Sequence, residues 1–121
     1  MNRTDLDAYI CSVFGCRAEH LWEKYPHFAV YRQQDSGKWF AVIMNIAKAK
    51  LGLPDEGRMD IVNLKCDPLL LGSLIDGKSF FPAYHMNKKN WISVVLDENT
   101  DNDTLMFLLQ SSYNAVRKKK K

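Results

Sequence analysis

The residues best suited to chemistry gather between Gly77 and Leu96. This stretch holds Lys78, His85, Lys88 and Lys89 without a single carboxylate, and Phe80, Phe81, Tyr84 and Trp91 are set among them. Basic and aromatic side chains interleaved on a loop suit contact with nucleic acid. Lysines attract phosphate, amides such as Asn87 and Asn90 donate hydrogen bonds, and aromatic faces stack on unpaired bases. Lys48 and Lys50, upstream, would widen the basic footprint. The competing explanation is that the aromatics are core and the lysines are solvated loop residues.

Other chemistries find little support. A histidine such as His85 could serve as a general acid or base, but the first acid downstream of it is Asp97. No Ser-His-Asp order, phosphate-cradling glycine loop or H-E-x-x-H pattern is present, so no catalysis is expected. The three cysteines, Cys11, Cys16 and Cys66, are odd in number and form no C-x-x-C pair. That argues against a disulfide framework, and with His20, His27 and His85 they complete no zinc spacing. Reduced thiols in a cytoplasmic protein without metal or cofactor are the expectation.

These residues must be positioned by short elements. Thr4-Asp5-Leu6-Asp7 resembles a capping box opening a helix through Leu6, Tyr9, Ile10 and Val13, with Gly15 as its C-cap. Arg17 to His27 reads as a loop. Phe28, Val30 and Tyr31, the turn Gln33–Lys38 and the β-prone run Trp39–Met44 read as a hairpin. Ala47 to Gly57 reads as a long loop. Met59 to Lys65 alternates apolar and polar residues, which predicts a strand with one buried and one wet face. Asp67 and Pro68 suit the N-cap and first position of a helix that Asp76-Gly77 ends. Trp91–Leu96 is a further strand. Thr100-x-x-Asp103 suggests the start of a last helix, with Leu105, Leu108, Leu109, Ser112, Tyr113 and Val116 facing inward. The expected fold is α+β: a single-domain, two-layer sandwich with an antiparallel sheet and the N- and C-terminal helices packed on one face.

The 121 residues suit one domain over 1–116, followed by a basic tail over 117–121. The formal charge is +3, from 17 basic and 14 acidic residues; without the five basic residues Arg117 to Lys121 it is 12 − 14 = −2. The body is thus mildly acidic, and the basicity belongs to the tail. Such a tail can attract nucleic acid or an anionic surface, or simply be a solvated helix end. No apolar run reaches the roughly 18 residues of a membrane span. The polar start Met1–Tyr9 is unlike a secretory signal.

Pro82-Ala83-Tyr84-His85-Met86-Asn87-Lys88-Lys89-Asn90-Trp91, followed by Val94-Val95-Leu96-Asp97, resembles the MmcQ/YjbR family, whose core reads P-x-x-H-[LM]-N-K-x-x-W before a strand. Lys65-Cys66-Asp67-Pro68 after a strand, and Ser112-Tyr113 in the last helix, are similar to further elements of that family. The resemblance runs from Phe28 onward. It implies a fold like that of frataxin and CyaY, and a DNA-binding role attributed to a "double-wing" motif, with no assigned catalysis. The segment Asn45–Arg58 is longer than the family's usual connection, and the lysine tail is not a hallmark of it. Iron binding does not carry over from the frataxin-like fold, because the first helix offers only Asp5 and Asp7, with Glu19 beyond it.

Two functions remain in competition. The first is a nucleic-acid-binding module, with DNA the expected polymer, held through Lys78, Tyr84, His85, Asn87, Lys88, Lys89, Lys48 and Lys50. The second is a protein-interaction or small-ligand domain anchored on Tyr84, Trp91 and Trp39. Burial of Trp39 and Trp91 between sheet and helices would remove the anchors of the second. A monomer is expected, with no membrane partner.

Overall fold

The structure, a computed structural model, describes residues 1–118; Lys119, Lys120 and Lys121 of the basic tail lie outside the described residues. Helix α1 (Arg3–Phe14) precedes strands β1 (Ala29–Arg32) and β2 (Trp39–Ala47), and a 3-10 turn (Lys48–Leu51) leads to β3 (Arg58–Lys65). Helix α2 (Pro68–Leu74), strands β4 (Phe80–Pro82) and β5 (Trp91–Val95), and helix α3 (Asn102–Ala115) complete the chain. The strands form one sheet in the order β1-β2-β3-β5-β4, with every pair antiparallel. Pro82, which has no N–H to donate, ends the short edge strand β4, where no ladder bond is lost.

One sheet face packs on the helices. Leu6, Ile10 and Phe14 of α1, Leu71 of α2, and Leu105, Leu108 and Leu109 of α3 share a core with Ile43, Val62, Leu64, Ile92 and Val94. The register of β2 against β1 shifts between Tyr31 and Arg32, so that Tyr31 pairs with Ala41 and Arg32 with Trp39. The extra residue puts both Phe40 and Ala41 into the helix-side core and turns Trp39 to the other face. The Ser112 hydroxyl donates to the Phe40 carbonyl at 2.5 Å, and Ser112 Oγ accepts the Lys65 N–H at 2.8 Å. Ser112 thereby fastens α3 to two strands.

Three expectations are corrected. The N-cap of α1 is Asn2, not Thr4: Asn2 Oδ1 accepts the Asp5 N–H at 2.8 Å. The same capping spacing occurs twice, two residues apart, and the Asp7 carboxylate is taken by the Tyr31 hydroxyl at 2.6 Å. Likewise α3 is capped by Asp101, because Thr100 is buried and its hydroxyl donates to the Val95 carbonyl at 2.6 Å. Helix α2 ends at Leu74, before Asp76-Gly77. The Asp76 carboxylate instead accepts the N–H groups of Lys78, Ser79 and Phe80 at 2.8, 2.9 and 3.0 Å, building the turn into β4.

The largest difference concerns β3. Its alternation predicts a wet face, yet Ile61, Val62, Asn63 and Leu64 are all buried. The second face carries its own cluster: Val30, Val42, Met44, Ile46, Ile61, Phe81 and Val95, roofed by Trp22, Phe28, Trp39, Leu51, Leu53, Met59 and Tyr84. Loops rather than helices cover it, and these loops make the candidate site.

Candidate functional site

The roof over the second face is tied down by a buried polar pair. Asn63 and Ser93 stand opposite each other on β3 and β5, both at 0% exposure. Asn63 Nδ2 donates to the Tyr84 carbonyl at 2.8 Å, the Tyr84 N–H donates to Ser93 Oγ at 2.9 Å, and the Ser93 hydroxyl donates to Asn63 Oδ1. Both backbone groups of Tyr84 are therefore satisfied by the sheet beneath it. A loop crossing an apolar sheet would otherwise bury unpaired amide groups at a cost of about 1–3 kcal/mol each. The pair fixes where Tyr84 lies and where the loop following it begins.

His85 follows with φ 59°, the one non-glycine residue with positive φ among the described residues. Asn87 Oδ1 accepts the Lys89 N–H at 2.9 Å, and the Asn87 carbonyl accepts the Asn90 N–H at 3.1 Å. The Asn90 carbonyl then accepts the Cys66 N–H at 2.7 Å. Asn87 thus builds its own turn, as short polar side chains do, and this turn leaves Lys88 and Lys89 exposed at the tip.

Two hollows flank Tyr84. On one side lies an aromatic cleft of about 290 Å³, floored by Val42 and Met44 and walled by Trp22, Tyr25, Phe28, Trp39, Tyr84, His85 and Met86. Trp22 meets Trp39 edge-on at 5.8 Å and Phe28 edge-on at 5.9 Å. Tyr25 and Phe28 stack at 4.8 Å with their planes 11° apart. Arg32, held by Glu19 at 2.8 Å, lies 5.9 Å from the Trp39 ring. On the other side lies a groove of about 180 Å³, lined by Lys50, Leu51, Phe81, Pro82, Ala83, Tyr84 and Lys88. Neither hollow is lined by a carboxylate.

The structure brings together Tyr84 and His85 at the cleft, and Lys50 and Lys88 at the groove. Lys89 is exposed beside Lys88. Lys48 and Lys78 line neither hollow, and Asn87 is used within its own turn. Trp39 packs on the loop side rather than between sheet and helices, while Trp91 is half-buried at the end of β5 opposite Lys65. Sequence reading missed Trp22, Tyr25, Phe28, Met86 and the Asn63–Ser93 pair. The signals were present: aromatics every third residue, Trp22, Tyr25 and Phe28, running from a segment read as loop into one read as strand, and a small polar residue within each of two neighbouring strands.

A larger hollow of about 500 Å³ lies between the start of α2 and the end of α3, with Cys66, Leu70 and Leu108 in its wall. Burial pushes the Cys66 and Cys16 thiols above their ordinary range, which disfavours the nucleophilic thiolate. Burial, followed by the hydrogen bond to Asp7, raises Tyr31 strongly as well. Among the described residues, no group of three or more His, Cys, Asp or Glu side chains could hold a metal ion. No described helix is long and apolar enough to cross a membrane.

Comparison with known proteins matches residues 12–115 to the family described as YjbR. The chain is 35% identical over 117 residues to the Bacillus subtilis (strain 168) protein "Uncharacterized protein YyaQ", covering 97% of this chain and 99% of that one. It is 35% identical over 101 residues to "Uncharacterized protein YbdF" of Escherichia coli O157:H7, covering 81% of this chain and 71% of that one. A crystal structure of a Pseudomonas syringae protein superposes with a TM-score of 0.93 at 37% identity, covering 97% of this chain and 100% of that chain. None of these names carries an activity.

Proposed function

The chain belongs to the YjbR family, and from that starting point we propose that it is a nucleic-acid-binding module, with DNA the expected polymer, contacting phosphate through the loop Pro82–Asn90. The observation that carries this reading is the meeting of two complementary hollows at Tyr84, one aromatic and one flanked by Lys50 and Lys88. Lysine ammonium groups hold phosphate as point charges, without reading sequence. Stacking on aromatic rings is equally tolerant, because every base has a π face. The module works without catalysis: the buried thiols are held protonated, and no carboxylate lines the cleft beside His85 to orient it as a base. In this reading residues 1–116 form the working domain, the tail from Arg117 adds non-specific attraction, and the protein acts as a cytoplasmic monomer.

A second reading, a small-ligand site in the aromatic cleft, is favoured by the placement of Trp39 outside the helix-side core. One set of titrations separates the two. Fluorescence anisotropy against labelled single-stranded DNA, duplex DNA and RNA should show binding that weakens steeply with salt. The Lys88→Ala/Lys89→Ala variant should bind more weakly while its unfolding free energy stays within about 0.5 kcal/mol of the parent's, as expected for exposed side chains. Absence of binding to every polymer at low salt would overturn the nucleic-acid reading and leave the small-ligand one.

A further inference from the structure

We infer that the aromatic cleft receives one unpaired base of a single strand, whose neighbouring phosphate lies in the groove on Lys50 and Lys88 across Tyr84; this rests on the nucleic-acid reading above and adds a strand preference to it. The cleft volume of about 290 Å³ is at the small end of ligand pockets, which run to about 1,000 Å³, and suits a single ring system. Its walls are rings and thioethers, which grip a flat apolar surface without demanding a particular hydrogen-bond pattern. Tyr25 is 52% exposed and lies parallel to Phe28, so the stack on the rim presents an aromatic face that a base can extend.

Charge selects the occupant. A cationic guest is disfavoured, because Arg32 already lies against Trp39 and no carboxylate lines either hollow. An uncharged apolar guest would use the cleft but leave the lysine groove idle. A nucleotide unit uses both, its ring on one side of Tyr84 and its phosphate on the other. A duplex offers only phosphates, since its bases are paired inward and enter a pocket only after leaving the stack.

The test uses the intrinsic fluorescence of the full chain, because two of its three tryptophans, Trp22 and Trp39, line the cleft. An oligothymidylate, the corresponding duplex and an abasic strand of equal charge are titrated in parallel, with anisotropy recorded beside tryptophan emission. The expected result is quenching by the oligothymidylate alone, with affinity about tenfold or more above the other two. Tyr25→Ala, an exposed truncation that leaves the core intact, should weaken single-strand binding about fivefold or more without weakening the duplex. If the abasic strand and duplex bind as tightly as the oligothymidylate, without quenching, the base pocket is wrong while the nucleic-acid reading survives. If none of the three binds at low salt, both fall.

Discussion

His85 shows how a single residue is shaped by its place. A non-glycine residue at φ 59° sits in the left-handed region, where the Cβ crowds the backbone at a cost of about 1–2 kcal/mol, although His tolerates it better than most. The strain is offset by the hydrogen bonds that hold Tyr84 before it and the Asn87 turn after it. Replacing His85 with glycine relieves the strain and removes the ring from the cleft wall. The expected outcome is a melting temperature equal to or above the parent's, by up to about 1 kcal/mol of stability, together with weaker ligand binding. A drop in thermal stability would instead assign the imidazole a purely structural part. The motif read from sequence as one binding constellation thus divides: Lys88 is free to contact a ligand, Asn87 makes a turn, and Tyr84 and His85 form walls.

At the scale of elements, the decisive contact is between strands and loop. Asn63 and Ser93 occupy positions where alternation along β3 and β5 calls for solvent, and they are buried because the loop from Pro82 lies over them. Asn63→Ala removes the donor to the Tyr84 carbonyl and the acceptor for the Ser93 hydroxyl together. It should lower stability by about 1–3 kcal/mol in denaturant unfolding, with faster hydrogen exchange at Tyr84 than at Val62 on the opposite face. Equal loss of protection at both positions would mean that the pair supports the whole sheet rather than the loop. The 3-10 turn Lys48–Leu51 has a similar consequence. Within a segment read as a plain loop it lays Leu51 on the second-face cluster and carries Lys50 to the groove opposite Lys88.

For the whole molecule, the response to acid follows from carboxylates that accept backbone hydrogen bonds. Partial burial opposes ionisation of Asp76, but the N–H groups of Lys78, Phe80 and Ser79 outweigh it and hold the carboxyl below its ordinary range. The Thr104 hydroxyl and N–H do the same for Asp101. A depressed folded value means that the unfolded chain binds protons more readily. The stability these groups add is present above the unfolded aspartate value of about 3.9 and is lost as pH falls through the lower folded value. The melting temperature should therefore decline below about pH 4, and Asp76→Asn, which cannot titrate, should show a shallower decline. An identical acid profile in the variant would remove Asp76 from the account.

Much of the architecture was legible in the residues alone. Helical spacing placed Leu105, Leu108, Leu109 and Ser112 on the inward face of α3, and Asp67-Pro68 marked the start of α2. The three helices, the first hairpin, β3, β5 and the antiparallel sheet with helices on one face also followed, because periodicity and capping are local and the chain writes them within a few residues. The three-residue edge strand β4, too short to show a period, was read as a connection. Where two local signals compete, as Asn2 and Thr4 do for one helix start, the winner is settled by a distant partner, here Tyr31 taking Asp7. The site belongs to the same class of question. Trp22, Tyr25, Trp39, Asn63, Tyr84 and Lys50 are scattered along the chain and converge only when the sheet forms and two loops fold over its second face. Alternation records which side of a strand a residue points to, not what covers that side, so a cleft built from non-local packing became visible only in the tertiary structure.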